Sequence, residues 1–198
     1  MTTLIIDESG DDLGSAHRYV IGAGVLVGND DNLDDVREAI RGLFAAVPGR
    51  TRPFHWVTEG VTMRRAVIEL IGTLPVEAYA VIGSADSPHH LELTRDRCLR
   101  ELFRTVRGHD LQRVMIESRE RSTTVVGQNR RDYGTMIEAR HAGELQRPAR
   151  YEWVLKDEPL VWLADALADA VLAAERGDMT WLGELGEVTR TSLVRLPP

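Results

Sequence analysis

A single cysteine, Cys98, excludes any internal disulfide, and no apolar stretch approaches the ~18 uncharged residues that a membrane span requires. Bases are in the minority, 24 against 31 acids for a net charge of −7, which argues against an indiscriminate basic coat for nucleic acid. Lysine is nearly missing: every base except Lys156 is arginine, a bias that GC-rich coding DNA accounts for. The start, Met1-Thr2-Thr3-Leu4, lacks the basic opening and cleavage pattern of a signal peptide, and there is no internal repeat or low-complexity segment. These absences predict a soluble, cytoplasmic protein. What remains is a globular balance, 43% hydrophobic and 28% charged over 198 residues. That is enough for one domain burying roughly 70% of its unfolded surface. Cys98, between Arg97 and Leu99 in a helical pattern, reads as a small buried hydrophobe.

Strand and helix signals alternate. Leu4-Ile5-Ile6 is a continuous apolar run, a buried strand over Thr3 to Asp7, stopped by the turn-forming Asp7-Glu8-Ser9-Gly10-Asp11. Arg18 to Val27 is a second strand after a hairpin-like linker. Asn29 to Val47 is a helix with Asp30 or Asp31 as its cap and Leu33, Val36, Ile40, Leu43 and Val47 on one face, ended by Pro48-Gly49. Further helices are expected over Val61 to Leu74, His90 to Val106 and part of Val125 to His141. Further strands are expected over Val76 to Ser84, Leu111 to Glu117 and Tyr151 to Leu155. Glu158 to Arg176, rich in alanine and leucine with Pro159 in its first turn, is the clearest helix. The pattern predicts an α/β three-layer domain over residues 1–176, with a mixed sheet between helices. Residues 177–198 form a tail, with Leu185 to Leu196 an edge strand or the arm of a homodimer.

Two strands end alike. Leu4-Ile5-Ile6-Asp7-Glu8-Ser9 and Val114-Met115-Ile116-Glu117-Ser118 each place apolar residues before a carboxylate, with a serine close behind. As parallel neighbours they would bring Asp7 and Glu117 together at the carboxyl end of the sheet, where open α/β folds carry their sites. Adjacent carboxylates repel, so one takes a proton or a cation sits between them. A divalent ion with hard oxygen ligands is the simplest resolution. On the last helix Asp165, Asp169 and Arg176 share a sector opposite Leu160, Leu163, Leu167 and Val171. Val161, Trp162 and Leu172 flank the stripe and leave it thin for a freely solvated face. Asp157, in Lys156-Asp157-Glu158, competes with Asp165 for the third place.

Asp7-Glu8-Ser9-Gly10-Asp11 after an N-terminal apolar strand, the glycine-bearing strand Tyr19 to Val27, and the late Leu163-Ala164-Asp165-Ala166-Leu167 helix resemble the domain-of-unknown-function family 3800. The resemblance implies a ribonuclease H-like fold. It matches Asp7 to the first-strand aspartate of such enzymes, Glu117 to the acid on the neighbouring strand and Asp165 to the acid on the final helix. It thereby implies Mg²⁺ or Mn²⁺ held by Asp7, Glu117 and Asp165; Glu8 and His55 are further catalytic candidates beside that set. Two metal ions ~3.5 to 4 Å apart would align attacking water and leaving oxygen in phosphodiester hydrolysis. The expected function is a metal-dependent nuclease or phosphodiesterase; the alternative is a catalytically inactive scaffold of the same fold.

From Arg119 to Lys156 there are eight bases against five acids, a net of +3, leaving −10 elsewhere. Arg119, Arg121, Arg130, Arg131, Arg150 and Lys156 are the expected contacts to nucleic-acid phosphates, the alternative being an ordinary solvated face. Gly22-Ala23-Gly24 lacks a third glycine and reads as close backbone approach rather than a dinucleotide loop. His89-His90 has no partner at metal-ligand spacing, whereas His55 within Phe54-His55-Trp56 is placed to enter a cleft.

Overall fold

Buried on both faces, Leu4-Ile5-Ile6 lies at the middle of β1 (Thr2–Gly10), an interior strand of the computed structural model. The structure describes residues 2–10, 18–28, 30–47, 52–85, 87–119, 127–146, 150–188 and 191–197. β1 pairs antiparallel with β2 (Arg18–Val27), which pairs antiparallel with β3 (Val76–Ala85). On its other side β1 runs parallel to β4 (Leu111–Glu117), and β4 parallel to β5 (Arg150–Val154). With β6 (Thr191–Arg195) parallel to β3, the six-stranded order is β5-β4-β1-β2-β3-β6.

Alternation along the strands separates two cores. Ile5, Ala23, Val25, Ala80 and Met115 face α1 (Asp30–Ala45), α2 (Val61–Thr73), α5 (Val161–Glu175) and α6 (Thr180–Val188). Leu4, Ile6, Val81, Val114 and Ile116 face α3 (Pro88–Thr105) and α4 (Gln128–His141). Every residue of α5 from Val161 to Leu172 is buried, because the helix lies on β1 and β2 and is covered by α2 and α6. Such a position requires a helix apolar on nearly every side, and Asp165 and Asp169 are the exceptions.

Two sequence expectations change. Asp7-Glu8-Ser9-Gly10 is strand rather than turn, since β2 offers pairing as far as Gly10 opposite Val20. α5 starts at Val161, two residues after Pro159. Of the two readings of the tail, the edge strand is the one seen: β6 pairs with β3, and α6 packs on α2 and α5. The expected linker, Asp30 and Asp31 caps and Pro48-Gly49 stop fall outside the described residues and side chains.

The glycines of β2 and β3 let α3 lie directly on the sheet. A Cβ on Gly24 would stand 2.8 Å from Leu4 Cδ1, and one on Gly83 would stand 2.5 Å from Thr94 Cγ2 and 2.7 Å from Cys98 Sγ. Thr94 and Cys98 are themselves buried and cannot swing away. Gly83→Ala is therefore expected to cost about 1–3 kcal/mol through overpacking, read as a lower denaturant midpoint at an unchanged slope. An unchanged midpoint would show that α3 yields without strain.

Candidate functional site

Ile6 pairs with Ile116 as the last pair of the β1–β4 ladder, so the next residues, Asp7 and Glu117, stand side by side where the two strands part, β1 running on against β2 to Gly10. They follow Ile5 and Met115 in alternation, and so point to the face covered by α5. α5 presents Asp165 and Asp169 one helical turn apart to the same place. Asp7, Glu117 and Asp165 are 6%, 4% and 4% exposed, which makes three carboxylates in nearly dry surroundings.

A lysine joins them. Two residues beyond Val154, the β5 partner of Glu117, Lys156 Nζ donates to Asp7 Oδ2 at 2.9 Å, Glu117 Oε2 at 2.7 Å and Asp165 Oδ1 at 2.8 Å. Its main chain is pinned, because the carbonyl accepts the Trp162 indole N–H at 2.6 Å. Asp165 Oδ2 accepts the backbone N–H of Trp56 at 3.0 Å, and His55 Nδ1 lies 3.6 Å from Asp165 Oδ1. The aromatic neighbours set this loop: Phe54 and Trp56 are buried, Trp56 meets Trp181 edge-on, and His55 between them is left at the site with a half-open ring. Asp7 Oδ1 accepts the Glu8 N–H at 2.7 Å, and Ser9 Oγ donates to Asp169 Oδ1 at 2.5 Å.

Burial pushes the Asp7 carboxyl well above the usual carboxylate range; Glu117 and Asp165 add to this, and Lys156 only partly opposes it. Asp169 is likewise raised by burial. Burial would also raise Asp165, but the nearby His55 imidazole, the Lys156 charge and the Trp56 N–H outweigh it and hold that carboxyl low. The Asp165 carboxylate beside it raises His55 in turn. For Lys156 burial favours the neutral amine, yet Asp7, Asp165 and Glu117 together keep it firmly charged.

The opposite face carries a second ionic cluster. Glu8 pairs with Arg95 from α3, and Arg95 Nη1 donates to Asp132 Oδ1 of α4 at 2.5 Å. Arg119 joins at the edge, 2.5 Å from Glu92 and 3.8 Å from Asp132. Asp7, Glu8, Glu117, Ser118 and Arg119 line a cavity of about 140 Å³ at the ends of β1 and β4.

Asp7, Glu117 and Asp165 thus come together, with His55 beside them and Glu8 on the cavity wall. Asp157 does not join: it is exposed and lines a different cavity, of about 300 Å³, with Arg41, Arg52 and Trp162. Of the expected phosphate contacts, Arg119 is held by Glu92, Arg131 by Asp96 at 2.6 Å and Arg150 by Glu152 at 2.5 Å. Glu92 and Asp96 lie on α3, outside the window over which the sequence charge was counted. Arg130 is exposed and makes no ion pair with a described residue, while Arg121 lies outside the described residues. The sequence placed Lys156 among the phosphate contacts and missed its seat between the acids. The signal was there, in its being the one lysine of the chain.

Among the described residues no group of three acidic, histidine or cysteine side chains stands assembled around a metal position. The oxygens of Asp7, Glu117 and Asp165 stand at hydrogen-bond distance from an ammonium, wider than the ~2.1 Å of magnesium–oxygen bonds. Their chemistry nevertheless suits a hard divalent ion, with three oxygen donors, low exposure and an adjoining cavity.

No family model and no curated protein matches the sequence. Among solved structures, ribonuclease H2 from Pyrococcus horikoshii OT3 is similar over 90% of this chain and 78% of its own, at 11% identity and a TM-score of 0.53. Ribonuclease HII from Archaeoglobus fulgidus, solved with PCNA, matches over 94% and 87% at 15% identity and a TM-score of 0.46. Bst ribonuclease HIII in complex with Mn²⁺ matches over 88% and 53% at 12% identity and a TM-score of 0.47. The Pyrococcus likeness carries the fold: the chain is an α/β protein with a ribonuclease H-like fold.

Proposed function

We propose that this protein is a divalent-metal-dependent phosphodiesterase acting on nucleic acid, and that it belongs to the domain-of-unknown-function family 3800. The observation that carries the activity is the meeting of Asp7, Glu117 and Asp165 around one cation where the pairing of β1 with β4 ends. These three residues would hold Mg²⁺ or Mn²⁺, which when bound supplies an activated water and charge neutralisation for phosphodiester hydrolysis. The rest falls to the chain itself. Arg119, on the wall of the cavity that reaches Asp7 and Glu117, holds a non-bridging phosphate oxygen. Glu92 engages both terminal nitrogens of its guanidinium, so the phosphate takes the place of that carboxylate. The Trp56 N–H and His55 orient the Asp165 carboxylate, and the half-open imidazole holds a proton at Nδ1 toward that group. Burial of Phe54 and Trp56 keeps this loop in place.

A catalytically inactive scaffold is the second reading, favoured by Lys156 standing where a metal would be needed. Mn²⁺-dependent cleavage of single-stranded and duplex RNA and DNA separates the two. Cleavage of at least one substrate, abolished by chelation, is expected; none with any of them would overturn the enzyme. Arg130, exposed and not paired to a described residue, is the expected distal phosphate contact. Arg130→Glu should weaken nucleic-acid binding and lower its salt slope by about one unit for each phosphate no longer neutralised. Unchanged binding and slope would make this face merely solvated.

A further inference from the structure

We propose that Lys156 is the resident cation of this site: its ammonium holds Asp7, Glu117 and Asp165 together in the metal-free protein, and a divalent ion enters only by displacing it. The inference rests on the proposed metal-dependent function and adds what controls when the metal can bind.

Three observations carry it. Lys156 Nζ lies 2.7 to 2.9 Å from one oxygen of each acid, so all three donors of the ammonium are used on the three proposed metal ligands. The position demands lysine. One compact charge with three diverging donors fits between three carboxylates, whereas the planar guanidinium fork suits one or two. In a chain whose other bases are all arginine, this position alone keeps lysine. Finally, the residue is built for movement of the side chain alone. The Trp162 indole pins its carbonyl, while the side chain, 19% exposed, has an outlet to solvent.

Metal and ammonium cannot share these oxygens. A divalent ion would draw them to ~2.1 Å and repel the neighbouring positive charge. The lysine therefore competes for the site. If it is in place ~90% of the time, apparent metal affinity falls about tenfold, since a ligand sees only the competent fraction. In the metal-free protein the ammonium offsets part of the repulsion among the three clustered carboxylates, and the site stays closed until metal is abundant.

Because Lys156 is the single lysine, amine-selective labelling followed by peptide mass spectrometry reads it directly, apart from the chain's α-amine. In wild type the labelling should be slow without metal and at least about tenfold faster with saturating Mn²⁺. By calorimetric titration, Lys156→Met should bind Mn²⁺ at least about tenfold more tightly than wild type. Asp7-dependent Mn²⁺ binding by wild type with labelling and affinity both unmoved would overturn the inference and leave the proposed function standing. Mn²⁺ binding by Lys156→Met alone would support the inference and overturn the function in the natural chain. Binding by neither would overturn both. Should Lys156→Met fail to fold, the wild-type labelling decides alone.

Discussion

Asp7→Asn is expected to lower Mn²⁺-dependent cleavage by at least about a hundredfold while the metal-free melting temperature holds or rises by a few degrees. The two effects have one electrostatic origin. Asp7 is nearly dry and faces two other carboxylates, and its folded-state pKa is raised by burial and then by those neighbours against the pull of Lys156. A carboxyl whose pKa is higher folded than unfolded binds its proton more tightly in the folded state. Its contribution to stability therefore falls as pH climbs from the unfolded value, ~3.9, toward the raised one, and stays lost above it. Asparagine resembles the protonated form. Its oxygen keeps the Glu8 N–H and its amide can donate to Glu117, while the bond that Asp7 Oδ2 accepts from Lys156 is given up. The melting difference between variant and wild type should thus open across the acid range and persist at neutral pH. About 1 kcal/mol corresponds to roughly 2–4 °C in a chain of this size. A metal gains nothing from a neutral amide, so the charge relieved in the metal-free protein is the charge that metal binding forfeits. Unchanged cleavage would remove Asp7 from the ligand set. A clear drop in metal-free melting temperature at pH 7 would make it structural.

The central strands and the acid pair were legible because they depend on short-range pattern. Leu4-Ile5-Ile6-Asp7 and Val114-Met115-Ile116-Glu117 announce buried strands ending in carboxylates, and parallel pairing then fixes the rest. Asp165 was legible through its apolar flanks, since a polar stripe between Trp162 and Leu172 is too thin for open solvent. The basic surface was not. Its charge was counted along the chain, whereas charges cancel in space: α3 supplies Glu92 to Arg119 and Asp96 to Arg131 across more than twenty residues of sequence. Glu8 illustrates the same limit. Read as a turn residue it had no face; paired in β1 it must point opposite to Asp7, and its partner Arg95 is 87 residues away. Lys156 fell between these cases, visible as a rarity but with its seat set by β5, α5 and the Trp162 indole together.

Arg95→Met should destabilise the protein by about 3–5 kcal/mol, the largest loss expected of a single side chain here. The Arg95 side chain is 5% exposed and holds two carboxylates, Glu8 and Asp132, the latter with none of its side chain reaching water. Methionine matches much of the stem but leaves Asp132 charged and buried. Arg119, 3.8 Å from Asp132, offers partial compensation at most, because Glu92 already engages it. Glu8 suffers less, since a fifth of its side chain is exposed and can turn to solvent. The loss should therefore trace to Asp132, and a second substitution tests that assignment. In Arg95→Met/Asp132→Leu the uncompensated charge is gone and an apolar side chain of similar size fills its place, so more than half of the missing stability should return. A loss below ~1 kcal/mol in the single variant would mean that Arg119 takes over the pairing. A double variant no more stable than the single one would place the cost in packing around Arg95 instead of in the stranded carboxylate.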